Sequence, residues 1–258
     1  MVPAIGFIET YLWLLIPMLL RYVLVASAVH GLFWGGQKLA PFAFRLARNK
    51  PQAEHLWREG RTALAASLIY ALPATVLIHA YKEGGTALYL HAPQTLAGWL
   101  WLPGSLAVLL LTHDAYFYWT HRAMHHPRLY RATHQTHHIS KQPTAFASFA
   151  FHPWEAIIAA WFVPALAFVV PIHFGVLLAY LTLATIWAVT NHAGWEIFPR
   201  SFLDGPVGRW LITARHHNLH HTKFQRNYGL YFRFWDKAMG TDDMSGDPMA
   251  AVRPASPG

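Results

Sequence analysis

The chain has 258 residues, of which 54% are hydrophobic, 15% aromatic and only 12% charged. An ordinary soluble domain is about a quarter charged, so the composition argues against one and points to lipid as part of the solvent. A formal charge of +8 could suggest nucleic acid, but the placement of the basic residues, set out below, excludes it as the natural partner.

The first apolar stretch, residues 9–33, is broken only by Arg21. It is long for a cleaved signal peptide and lacks a basic leader, so it is expected to anchor the chain. Residues 62–80 and 95–111 are a second and a third span, and 156–189 is long enough for two legs with Pro171 near the turn. About 20 residues cross a hydrocarbon core of roughly 30 Å. Four crossings fit, with a re-entrant hairpin left open for the final pair. Of the 20 lysines and arginines, only Arg21 and Lys82 fall outside the segments after span one, after span three and after the hairpin. The positive-inside rule makes that face cytoplasmic, with anionic lipid headgroups as its partner. From residue 245 the chain is rich in Pro, Gly and Ala without an apolar period, so a disordered tail is expected after a single domain over 1–244. The fold class expected is an all-α integral-membrane bundle with a cytosolic helical cap.

The chain holds 18 histidines and no cysteine. The histidines concentrate after the third span and after the hairpin. His121 and His125 are four apart, which on a helix places both rings on one face. His134, His137 and His138 have offsets of zero, three and four, and His217, His220 and His221 repeat them. Adjacent residues such as His137 and His138 point about 100 degrees apart on a helix, which suits a bridge across two centres. His192 could add one more ligand. A closed zinc site takes four ligands and would leave five of these nine without a role. Two ions with four or five nitrogens each account for them all. Iron fits a nitrogen-rich site and adds redox states that zinc lacks, although manganese or zinc could fill the same ligands.

Asp114 lies two turns before His121, where a ligand ring N–H could donate to it. His152 and Glu155 are expected beside the metals or at the substrate entrance. His113, His126 and His216 have a smaller claim, and His30, His79, His91 and His173 are better read as core or interface residues. Tyr116, Phe117, Tyr118 and Trp119 could wall a substrate slot or lie at the bilayer interface. No haem or nucleotide fingerprint is present. Two rival functions remain open at this point. A metal-dependent lipid hydrolase would use metal-bound hydroxide. A metal transporter would need a polar route through spans that are overwhelmingly apolar.

The segments HDAYFYWTHRAMHH, HQTHH, AFHPWE, NHAGW, HHNLHHTKFQRNYG and FWDKAMGT together resemble the fatty acid hydroxylase and sterol desaturase superfamily of integral-membrane di-iron oxygenases. The resemblance covers residues 114–241. It implies two irons held by His121, His125, His134, His137, His138, His192, His217, His220 and His221. It also implies oxygen-dependent hydroxylation or desaturation of a membrane lipid, with hydroxylation preferred. Asp114 matches the acidic residue ahead of the first box, and Asn227, Tyr228 and Gly229 match the segment after the last; the extra His126 and His216 adjoin the boxes. Electrons are expected from a separate donor, either a cytochrome b5-like protein, a ferredoxin or a reductase. A bacterial inner membrane is the expected location, with the endoplasmic reticulum as the alternative, and an acyl chain, polar lipid or isoprenoid is a better expected substrate than a sterol.

Overall fold

A computed structural model describes residues 6–36 and 41–251. Among the described residues, four helices are long and apolar enough to cross a membrane: α1 (Phe7–His30), which continues as a wider turn to Gly35, α2 (Ala53–Lys82), α3 (Leu96–Met124) and, after the hairpin turn, a helix over Phe174–Asn191. Their large apolar side chains face outward: Trp13 is 71% exposed, Leu24 66%, Leu100 63% and Leu111 60%. Surfaces of that kind are stable only against lipid or another protein. The chain is therefore built as an integral membrane protein.

Local chemistry sets the ends of these helices. The Glu9 carboxylate accepts from the Gly6 N–H at 3.0 Å and opens α1. The Thr95 hydroxyl accepts from Gly98 N–H at 3.2 Å and opens α3. Gly84 takes a φ of +74° in the turn that ends α2, a conformation that favours glycine. Between α3 and the hairpin lie two short helices, α4 (Pro127–Thr133) and α5 (Gln135–His138). The hairpin's first leg breaks at Trp161 into α6 (Pro153–Ala160) and α7 (Phe162–Val169), and its second leg is α8 (Phe174–Asn191). The cap continues with α9 (Arg200–Leu203), α10 (Ala214–Lys223) and α11 (Phe234–Ala238).

Among the described residues, four two-residue strands tie the two ends. At the end remote from the clustered histidines, β2 (Leu88–Tyr89) pairs in parallel with β3 (Ile172–His173), with Leu88 opposite Ile172. The Trp101 indole donates to the Pro171 carbonyl at 2.8 Å at the same place. At the histidine end, β1 (Phe44–Arg45) pairs antiparallel with β4 (Trp195–Glu196). One apolar core joins Leu77, Leu109, Ala167, Ile172 and Leu177, and another joins Tyr22, Ala26, Ala63, Ala145 and Val189.

Two sequence expectations change and a third, the hairpin, is sharpened. The third span does not stop at Leu111: its helix runs on to Met124, so the first histidines ride on the inner end of a spanning helix. Pro171 does lie at the hairpin turn, and the turn pairs with β2 just beyond α2, so both legs run the length of the bundle; only α8 is an unbroken span. The segment from Ser245 is not free of structure. Asp247 pairs with Arg215 at 3.4 Å, and Met249 packs with Leu46, Leu203 and Ala214. The remainder of that expected tail, 252–258, lies outside the described residues, as does Lys38.

Candidate metal centre

The nine histidines come from four places. His121 lies in the last turn of α3 and His125 caps it; His134, His137 and His138 span the junction of α4 with α5; His192 caps α8; His217, His220 and His221 lie on α10. The second triplet lines a helix as its offsets predict. The first does not, because the chain kinks at His134 (φ −121°, ψ −11°) and α5 is a single turn.

The rings sort into two sets, with nitrogens in each set within 4.8 Å of one another: His121, His125, His134, His138 and His220 in one, and His137, His192, His217 and His221 in the other. Adjacent residues divide as their helical divergence requires. His137 goes to the four-member set and His138 to the five-member set, and His221 and His220 divide likewise. In the four-member set, His192 Nε2 lies 2.8 Å from His217 Nε2 and 3.3 Å from His137 Nε2, and His221 Nε2 lies 3.1 Å from His217 Nε2. In the five-member set, His138 Nε2 lies 3.2 Å from His125 Nε2 and 3.1 Å from His220 Nε2. Two nitrogens each about 2.1 Å from one ion and adjacent in its shell are about 3 Å apart, so these separations suit a shared metal.

Hydrogen bonds fix which nitrogen faces inward. Nδ1–H of His121 donates to the Tyr228 carbonyl at 2.8 Å, that of His192 to the Ala188 carbonyl at 2.7 Å, and that of His220 to the Arg226 carbonyl at 2.7 Å. His134 Nδ1 lies 2.7 Å from Glu155 Oε1. His121, His192 and His220 therefore each present an unprotonated Nε2 to their set, and the Glu155 carboxylate beside Nδ1 of His134 favours the proton on that nitrogen. Nε2 of His121 and Nε2 of His134 are buried with no hydrogen-bond partner among the described residues. Lone pairs converging in a dry interior repel one another unless a cation lies between them, so the donor set fits a metal ion. Electrostatics agree. Burial first, and neighbouring imidazoles second, hold His134, His137, His138, His217, His220 and His221 well below the ordinary imidazole range. Burial holds His192 at about 4. All seven are neutral near pH 7, the state a metal requires of imidazole.

The residues expected around the sets have different fates. Glu155 lies against His134, as described. Asp114 does not meet a histidine: its Oδ1 accepts from the backbone of Tyr231 at 2.8 Å and Phe232 at 3.0 Å, fixing the chain just after the Asn-Tyr-Gly segment. His126 and His152 cap α4 and α6 by accepting from Arg128 N–H and Trp154 N–H, each at 3.3 Å, and belong to neither set. His216 is fully buried but turns its Nδ1 to Thr213 at 3.2 Å, closing the start of α10. Asn227, at φ +58°, donates to the Asp243 carbonyl at 2.8 Å and so shapes the turn that brings the Tyr228 carbonyl to His121. The Tyr228 ring also packs on His125 with centroids 5.2 Å apart.

Three buried carboxylates that positioned these elements were not anticipated. Asp236 accepts from Tyr228 N–H at 2.9 Å and Gly229 N–H at 2.8 Å. Glu196 accepts from Arg215 N–H at 3.1 Å at the start of α10. Glu59 accepts from the Thr144 hydroxyl in the loop after α5. Asp236 lies inside the quoted FWDKAMGT segment, whereas isolated Glu59 and Glu196 carry no local pattern.

A cavity of about 270 Å³ opens onto both sets. His121, His134, His137, His192 and His217 line it, with Leu14, Met18, Leu77, Ile78, Leu177 and Leu181 among its apolar wall residues and Arg21, Tyr70 and Glu155 among its polar ones. Of the four aromatic residues 116–119, Phe117 lines the cavity; Trp119 is exposed, and Tyr118 is buried with its hydroxyl 3.0 Å from that of Thr241.

The family model for fatty acid hydroxylase matches residues 106–241. Lathosterol oxidase from Rattus norvegicus is 34% identical over 174 residues, covering 66% of this chain and 56% of the relative. A Delta(7)-sterol 5(6)-desaturase from Gibberella zeae is 31% identical over 159 residues, 62% of this chain and 47% of the relative. A methylsterol monooxygenase from Aspergillus fumigatus is 32% identical over 197 residues, 74% of this chain and 63% of the relative. The chain thus spans about half the length of the curated relatives it matches. No solved structure matches it significantly. Because the matched segment contains all nine clustered histidines and more than half of the sequence, the chain belongs to the fatty acid hydroxylase family.

Proposed function

We propose that the chain is an oxygen-dependent lipid hydroxylase in which each histidine set holds one iron ion. The observation that carries this reading is the meeting of two neutral imidazole sets with one apolar cavity between spanning helices. Iron held there would supply the redox capacity to activate dioxygen toward an unactivated C–H bond. The protein's own part is placement and shielding. Glu155 and the carbonyls of Tyr228, Ala188 and Arg226 keep the Nδ1 protons in place and the Nε2 lone pairs directed inward. Phe117, Phe149 and Phe151 wall the inner end and exclude water, while the aliphatic residues farther along accept the apolar body of a lipid. A shift of about 1 Å in the presented carbon is enough to redirect the outcome.

Desaturation by the same centre is the second reading, favoured by the oxidase and desaturase names of several relatives. The relatives named above lend no support to a hydrolase or a transporter, and both histidine sets sit at one end of the bundle. We place that end on the cytoplasmic side, of a bacterial inner membrane or of the endoplasmic reticulum, because the basic residues of the loops gather there. A separate protein delivers the electrons on that side.

Lipid mass spectrometry under oxygen-18, comparing cells that express the wild-type chain with cells that express His137→Ala, tests the reading. Hydroxylation predicts a labelled product that disappears in the variant. Desaturation predicts an unlabelled product lacking two hydrogens. Unchanged lipid profiles in the presence of a competent reductase would overturn both.

A further inference from the structure

Arg21 interrupts an otherwise apolar spanning helix and lines the same cavity as the histidines. At 1.5 Å per residue it lies roughly 21 Å from the first residue of α1 and about 14 Å from His30, farther than its side chain can stretch toward either end. Among the described residues it makes no hydrogen bond and no ion pair, and its Nε is buried without a partner. The polar side chains of the cavity wall do not pair with it among the described residues. Ser67 donates to the Ala63 carbonyl at 2.9 Å, Tyr22 donates to the Phe146 carbonyl at 2.8 Å, and Glu155, a carboxylate in the cavity wall, is turned to His134. The remaining neighbours along α1 in the wall, Leu14 and Met18, are apolar.

A guanidinium stays charged, and an unpaired charge in a membrane interior is unfavourable unless something brings the opposite charge. A hydroxyl or carbonyl from a ligand would satisfy Nε but leave the charge unbalanced. A carboxylate or phosphate answers both needs, and can do so through two parallel N–H···O bonds. We propose that Arg21 is a specificity-determining residue that pairs with the oxyanion of an amphipathic lipid, whose apolar part fills the cavity toward the histidine sets. The inference rests on the reading above only in taking this cavity as the substrate site.

The test is equilibrium binding to the full chain in phosphatidylcholine nanodiscs, with radiolabelled hexadecanoate, hexadecyl phosphate and hexadecanol as probes. The wild-type chain is expected to bind at least one anion more tightly than the alcohol, and the anion preferred identifies the headgroup as carboxylate or phosphate. Arg21→Gln should weaken that anion about thirtyfold or more, the usual consequence of removing one partner of a desolvated charge pair, and leave hexadecanol binding unchanged. Arg21→Lys keeps the charge but loses the planar fork, so it should fall between the two and carries the test if the glutamine variant does not fold. Equal binding of anions and alcohol by the wild-type chain, anion binding untouched by either variant, or parallel loss of anion and alcohol would overturn the proposal. Because binding is read without turnover, its failure is separable from failure of the oxygenase reading. Labelled product without anion binding removes only the role of Arg21; anion binding without bound metal removes only the oxygenase.

Discussion

The two histidine sets differ in how they meet the cavity and in what holds them. In the four-member set three rings, His137, His192 and His217, line the cavity, and all four are buried. In the five-member set only His121 and His134 line it, His125 is partly exposed, and three of the rings are braced from behind by Tyr228 O, Arg226 O and Glu155. In the four-member set His192 is braced by Ala188 O, and His137 is directed to Ala150 O. The five-member set is therefore the one with a carboxylate among its supports, and the four-member set is the one with more of its rings turned toward whatever occupies the cavity.

Removing a ligand should produce the largest effect. His217→Ala is expected to abolish product and to lower bound metal from about two ions per chain to about one, as read by elemental analysis, because three ligands in a set built for four bind a metal far less tightly. His220→Ala should also abolish product but leave four nitrogens in its set, and so retain more of its metal. Equal metal loss in the two variants would remove the distinction between the sets. Glu155→Gln is next: it keeps the shape but weakens the brace on His134, so metal affinity should fall about 10- to 100-fold, read by competition with a chelator.

Acid should act on both sets through proton uptake. With His192 at about 4 in the folded state against 6.5 unperturbed, the unfolded chain binds the extra proton first. The metal-free protein is therefore expected to be most stable above about 6.5 and to lose stability as pH falls toward about 4, with thermal unfolding as the measure. The six other depressed histidines outside the spanning helices push the same way. Stability that rises on acidification would contradict neutral, buried rings. The smallest effects belong to the histidines outside the sets. His126→Ala removes a helix cap on an exposed turn and should cost about 1 kcal/mol with metal content unchanged.

Much of the site was legible in sequence because a cluster of histidines leaves a dense local trace. Offsets of three and four, with neighbours diverging on a helix, were enough to divide His137 from His138 and to point to two sets of rings. Asp114 shows where such reasoning fails: its position two turns before His121 suggested a ring partner, but the backbone N–H groups of Tyr231 and Phe232, more than a hundred residues away, meet it first. The same holds for Glu59 and Glu196, whose partners are brought together by the packing of the cap rather than by any local pattern. The spanning helices were visible from apolar length, but the extension of α3 to Met124 was not, because the run of Tyr, Phe and Trp before His121 reads equally as an interface belt. Ser245 to Met249 looked unstructured from composition, yet Arg215 supplies the charge that anchors Asp247.

Anomalous X-ray scattering at the iron absorption edge, on crystals of protein purified with its metal retained, addresses the central claim most directly. Two iron peaks are predicted, one among His121, His125, His134, His138 and His220 and the other among His137, His192, His217 and His221. A single peak, a peak elsewhere in the chain, or no iron in catalytically competent protein would contradict it.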